Sequence, residues 1–350
     1  MENLPTIVSI FSWSALAFAV TLGLTPLYLK AAKKFGLGKQ IRDTAISGEK
    51  ATFFQEMHAK KTGTPTMGGV IMWAGVVIVI LLSRLLAFMG VMPQSLLQRG
   101  QVYLPLFTLI AVGLLGAIDD WFNIKEIGGL KGIKARPKVF FLLLFAILGA
   151  WWFYYKLGFS SIHIPSIGDF EIGIWYIPLF ILVIVSSANA VNITDGLDGL
   201  AGGLLILAFT TFAIIAYAKG QVMLATFCGL MIGTLMGFLW NNVPPALYYM
   251  GDTGALSYGA TLGVIAMMTN SLVVLLIVGL IFIVETVSVI IQLTSKKLFN
   301  KKVFLVAPLH HHFEKKGWGE AKITMRFWIV GAMLSAVGLI IGLMGMGNPF

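Results

Sequence analysis

Long uncharged apolar runs follow one another along this chain, and they constrain its fold more than any motif does. Asn3 to Tyr28 and Thr253 to Val284 each contain no charged side chain. About 20 apolar residues cross the hydrocarbon core of a bilayer as a helix. With 58% hydrophobic and only 11% charged residues, the chain cannot clothe a soluble domain in solvated groups, so lipid must be the solvent for most of its exterior. The runs predict ten helices, near 5–29, 67–89, 102–119, 139–157, 174–191, 200–218, 221–240, 254–269, 272–293 and 326–347. Only Thr269, Asn270 and Ser271 divide the eighth from the ninth. The expected fold is an all-α integral membrane protein, a single polytopic domain over residues 1–350.

Basic residues orient this bundle. Stretches 30–66, 120–138 and 294–326 carry eight, five and eight Lys or Arg, against four on the other side: Arg84, Arg99, Lys156 and Lys219. The positive-inside rule places the loops after odd-numbered helices in the cytoplasm and both termini outside. The first run lacks a preceding basic segment and is followed by Lys30, Lys33 and Lys34, which reads as a retained helix rather than a cleaved leader. Ile162 to Trp175 alternates apolar and polar residues around Gly168-Asp169 and predicts a small external β-hairpin. The net charge of +10 sits in loops without an aromatic-interleaved stripe, which argues against nucleic acid. Cys228 is the only cysteine, so no intramolecular disulfide or thiolate cluster is available.

The unusual polar clusters fall on the predicted cytoplasmic side, near 30–66, 119–138, 189–203, 241–257 and 294–325. Asp119-Asp120 close the third helix, and NAVNITDGLDGLAGG (Asn189 to Gly203) joins the fifth to the sixth. YYMGDTGALSYG (Tyr248 to Gly259) joins the seventh to the eighth, and PLHHHFEKKGW (Pro308 to Trp318) precedes the last. Asp195, Asp198 and Asp252 stand where helix caps would stand. Capping does not account for two adjacent carboxylates at a helix C-terminus, where the dipole is negative. Such a pair calls for a cation: either Mg²⁺, which takes hard oxygen ligands together with substrate phosphates, or one of Lys125, Lys131, Lys134, Arg136 and Lys138. Lys60-Lys61 and TGTPTMGG (Thr62 to Gly69) offer an anion cradle or a lipid anchor. His310 to His312 suit phosphate contact or proton transfer better than zinc, which would want a fourth ligand. Glu285 interrupts the ninth run and faces either a groove or a neighbouring helix.

In this order the motifs resemble the phospho-N-acetylmuramoyl-pentapeptide transferase family, within the polyprenyl-phosphate N-acetylhexosamine-1-phosphate transferase superfamily. The superfamily pattern is carried by the paired acids and by Asn189, Asn192, Asp195 and Asp198; the histidine triplet with Phe313 and the TGTPTMGG segment favour the muramoyl-pentapeptide branch. The resemblance implies a bacterial inner-membrane homodimer acting at the cytoplasmic face. It implies Mg²⁺-dependent transfer from UDP-N-acetylmuramoyl-pentapeptide to undecaprenyl phosphate, giving lipid I and UMP.

Carried onto this chain, the resemblance makes Asp252 the Mg²⁺ ligand, Asp119 and Asp120 the nearby essential acids, and His311 and His312 the active-site histidines. Asn189, Asn192, Asp195, Gly196, Leu197 and Asp198 fall on the uridine-site loop, and Tyr249 falls where an aromatic stacks on uracil. Lys61 and Thr66 match another nucleotide-side contact, while Lys138, closing KGIKARPK, and Asn242 join the substrate-binding positions. Two departures stand out: Tyr249 replaces a frequent phenylalanine, and Asn123 replaces a frequent lysine, for which Lys125 is a substitute. The competing readings are a sibling transferase using UDP-N-acetylglucosamine or another UDP-sugar, and an ion-coupled transporter.

Overall fold

A computed structural model describes residues 4–38, 63–97, 100–125 and 135–346. It is helical apart from one hairpin. The helices are α1 (Leu4–Phe35), α2 (Gly69–Phe88), α3 (Tyr103–Lys125), α4 (Ala135–Trp151), α5 (Tyr176–Thr194), α6 (Leu200–Ala218), α7 (Val222–Asn242), α8 (Gly251–Met268), α9 (Leu272–Val278), α10 (Leu280–Phe299), α11 (Leu309–Lys315) and α12 (Glu320–Met344). Strands β1 (Ser161–Ile164) and β2 (Gly168–Glu171) pair antiparallel, with Ser161 opposite Glu171 and Ile164 opposite Gly168. The expected turn at Gly168-Asp169 is therefore displaced. Pro165 to Ile167 makes it, with Ser166 at φ 64°, and Gly168 and Asp169 belong to β2.

Among the described residues eight helices are each long and apolar enough to cross a membrane, and α9 with α10 forms one more candidate, bent by 73°. The predicted ninth span is thus broken, after Val278. α8 is the predicted span that falls short, and burial explains why. Every residue from Thr253 to Met268 is inside the protein, packed along α3 and α5, so none needs an aliphatic side chain to meet lipid. The outer helices show the reverse: Phe11, Phe107, Leu182, Ile329 and Met333 are all exposed, a surface suited to hydrocarbon rather than water.

Within lipid, helices associate through close packing of small residues more than through hydrophobic burial. Gly229, Gly233 and Gly237 line one face of α7 in that manner; a Cβ at Gly233 would lie 2.1 Å from the Ser14 carbonyl oxygen of α1. Gly229 meets Ile10 and Gly237 meets Phe18, so α1 and α7 run parallel and deliver Phe35 and Asn242 to one end of the bundle. The other end holds the hairpin. His163 bonds Asp169 through Nδ1 (2.7 Å), takes the Asn270 side chain on its backbone N–H (3.0 Å), and contacts the Gly345 carbonyl through Nε2. Both described ends of the chain therefore lie opposite Asp252.

Candidate active site

The site begins with two helices that meet almost backbone to backbone. A Cβ at Gly116 of α3 would lie 2.2 Å from the Asp252 carbonyl oxygen, so glycine lets the start of α8 rest on α3. Met250, preceding α8, offers no side-chain cap. Asp120 supplies one from outside: its carboxylate accepts the backbone N–H groups of Asp252 (3.2 Å) and Thr253 (3.0 Å) and the Thr253 hydroxyl (2.6 Å). Gly251, at φ 69°, makes the turn that aims these N–H groups. Two expectations change here. α3 runs past the acid pair to Lys125, and Asp252 lies inside the first turn of α8 rather than capping it.

Asp119 and Asp252 share a cation, Lys138 at the start of α4. Its Nζ lies 3.2 Å from Asp119 Oδ2 and in close ion pairing with Asp252 Oδ2. Asn192 of α5 donates to Asp252 Oδ1 (2.7 Å). Charges this deep are stable only when paired and hydrogen-bonded, and each of these is. Lys125, the suggested substitute, instead donates to the Phe35 carbonyl (3.1 Å) and sits over Trp121.

One turn beyond Asn192, Asp195 ends α5 and the chain folds tightly into α6. Gly196 abuts a histidine: a Cβ there would lie 2.2 Å from His310 Nε2. Leu197 is buried. Asp198 braces the loops rather than capping α6, accepting the Ala246 N–H (2.9 Å) while its own N–H donates to Glu320 (2.7 Å). The residue at the start of α6 is Gly199, whose N–H donates to Asn242 Oδ1 (2.9 Å); Asn242 in turn donates to the Tyr248 carbonyl (2.9 Å). Asn189 donates within α5 to the Val185 carbonyl (2.7 Å). Thr66 is buried, and its carbonyl accepts the Tyr28 hydroxyl. Its neighbour Pro65 accepts the Tyr249 N–H (2.8 Å), while Gly68 donates to the Tyr249 carbonyl (2.8 Å), zipping the start of α2 to the segment before α8. The Tyr249 side chain is half-buried. Lys61 lies outside the described residues.

Each histidine has its own partner. His311 Nδ1 lies 2.5 Å from Glu314 Oε2, and His312 Nδ1 accepts the Leu305 N–H (3.1 Å). Burial and the nearby Lys316 hold the His312 imidazole below its usual range. His310 is fully buried against Glu285, whose carboxylate accepts its backbone N–H (3.1 Å) and lies 3.0 Å from its Nδ1. Sequence reasoning left Glu285 and Glu314 without a role and treated His310 only as part of the histidine triplet. The signal for Glu285 was present, a lone charge ending an uncharged run.

Among the described residues no three His, Cys, Asp or Glu side chains form a metal cage. The donor set fits Mg²⁺ nonetheless: Asp119 and Asp252 present hard carboxylate oxygens toward one cationic position, and Mg²⁺ is commonly held by one or two carboxylates with substrate phosphates.

The helical membrane bundle thus gathers acids, a lysine and histidines at one end. Residues 102–270, from α3 through α8, match the family described as Glycosyl transferase family 4. Over nearly its whole length the chain is similar to curated proteins named phospho-N-acetylmuramoyl-pentapeptide-transferase. It is 38% identical to that of Geobacillus sp. (strain WCH70), covering 93% of this chain and 95% of the relative. It is 37% identical to that of Clostridium botulinum, covering 96% of each, and 36% identical to that of Staphylococcus aureus, covering 95% and 99%. The chain belongs to the phospho-N-acetylmuramoyl-pentapeptide-transferase family.

Proposed function

We propose that this chain transfers phospho-N-acetylmuramoyl-pentapeptide from its UDP donor to undecaprenyl phosphate, giving lipid I and UMP in bacterial peptidoglycan synthesis. Similarity to transferases of that name over more than nine-tenths of the chain carries the reading. The cluster of Lys138 with Asp119 and Asp252 supports it chemically. The site faces the cytoplasm of the inner membrane, in keeping with the excess of Lys and Arg in the loops on that side. The working unit is a homodimer, as the family resemblance implies.

An oxygen of the lipid phosphate bonds to the sugar-linked phosphorus; the bond from that phosphorus to the UMP oxygen breaks, and its electron pair leaves with UMP. Both substrates are anions, so catalysis is mainly positioning and charge stabilisation. Bound at Asp252, Mg²⁺ would supply the positive charge that screens the diphosphate. Lys138 adds a second positive charge between Asp252 and Asp119. Asp119 orients the lipid phosphate and takes its proton, while Asp120 holds the start of α8 in place. Asn192, the turn from Asp195 to Asp198, Thr66, Lys61 and Tyr249 receive the nucleotide, with His311 and His312 on the phosphate side.

The test is mass-spectrometric detection of lipid product from purified protein given UDP-N-acetylmuramoyl-pentapeptide or UDP-N-acetylglucosamine, with and without Mg²⁺. Lipid I from the first donor alone, and only with Mg²⁺, is the expected result. Product from the N-acetylglucosamine donor instead would assign the chain to a sibling activity.

A further inference from the structure

One stripe of α12 is turned on the segment between α5 and α6, and the mechanism above does not use it. Glu320, Thr324 and Trp328 recur at four-residue spacing and so share one face of that helix. Glu320 stands in the first turn, where a carboxylate ordinarily complements the dipole of its own helix. Here its Oε1 is engaged elsewhere, accepting the Asp198 backbone N–H (2.7 Å). One turn on, the buried Thr324 hydroxyl donates to the Asp198 carbonyl (3.2 Å). The main chain of Asp198 is thus gripped on both sides by a helix distant in sequence. Trp328 extends the stripe: a Cβ on Gly203 would lie 2.1 Å from its indole, so the first turn of α6 rests on that ring.

This grip acts on a very short connection. Asp195 to Gly199 alone joins α5 to α6, and it follows directly on the turn of α5 that carries Asn192, bonded to Asp252. With both helices packed in place, holding the Asp198 peptide sets the path of the whole connection. We infer that Glu320 and Thr324 are positioning residues for the donor: they hold Asp198 so that the turn from Asp195 to Asp198 keeps the shape that receives the nucleotide. The inference deepens the transferase reading and rests on it. The lipid phosphate, oriented by Asp119 in that reading, does not use this turn.

Steady-state kinetics of the full chain, varying the UDP donor and undecaprenyl phosphate separately, test it. Glu320→Ala should raise the donor KM about tenfold, the scale of one hydrogen bond to a charged group, with the lipid KM unmoved and kcat nearly unchanged. Glu320→Gln retains an acceptor oxygen at the same reach and should restore most of the donor KM. Thr324→Val removes the hydroxyl at nearly constant shape and should raise the donor KM by a smaller factor, which Thr324→Ser restores. The Thr324 pair decides the matter if Glu320→Ala does not fold. An unchanged donor KM in Glu320→Ala and Thr324→Val would overturn the inference, as would an equal rise in both KM values, the mark of a brace that serves stability alone. Glu320→Gln no better than Glu320→Ala would also overturn it, by assigning the effect to charge at the start of α12. Failure of wild type to make lipid product would instead overturn the transferase reading, and the two failures are distinct.

Discussion

Asp120 and Thr253 are far apart in sequence, yet the Asp120 carboxylate accepts both the backbone N–H (3.0 Å) and the hydroxyl (2.6 Å) of Thr253. One acid of the pair thus holds the start of α8 while its neighbour Asp119 faces Lys138, which also pairs with Asp252. Adjacent residues on a helix diverge by about 100°, which is how two consecutive aspartates come to serve different ends.

Removing each acid separates these roles. Asp120→Ala strips a cap from α8 and should lower stability by about 0.5–2 kcal/mol along with turnover. Asp119→Ala should abolish turnover with a smaller loss of stability. Thermal unfolding in detergent, read beside UMP release, checks the pair; equal melting losses would merge the two roles.

Lys138 holds two carboxylates together, so Lys138→Met should leave Asp119 and Asp252 facing each other unscreened. Turnover should fall by about a hundredfold, the scale of losing one charge-stabilising group. UMP release at saturating substrates measures it, and near-normal turnover would remove Lys138 from the centre.

Much of this was legible in the sequence, for reasons that differ by residue. Long apolar runs and loop charges gave the helices, because lipid forces backbone hydrogen bonding within each segment. The same signal weakened for α8, which is enclosed by protein and tolerates Asp252, Thr253, Ser257 and Thr261. The break after Val278 left only Gly279 as its mark, in a run from Leu275 to Ile283 that is otherwise aliphatic or aromatic. Asp119, Asp252 and Asn192 converge as the motifs suggested. The division of labour between Asp119 and Asp120, and the brace formed by Asp198 and Asn242, depend on which helix each side chain meets, and spacing alone does not encode that.

Sidedness has a clean assay because Cys228 is buried in α7 and silent toward membrane-impermeant maleimide. In intact cells, Ser166→Cys in the hairpin turn should be labelled from outside, and Lys315→Cys beyond the histidines only after permeabilisation. The reverse pattern would invert the proposed topology.

The most direct measurement is anomalous scattering from crystals grown with Mn²⁺ in place of Mg²⁺ and with the UDP donor bound. A peak at about 2.1 Å from an Asp252 carboxylate oxygen, with donor phosphate oxygens completing its shell, is the predicted result. An active enzyme whose only bound metal lies away from Asp252 would contradict the account.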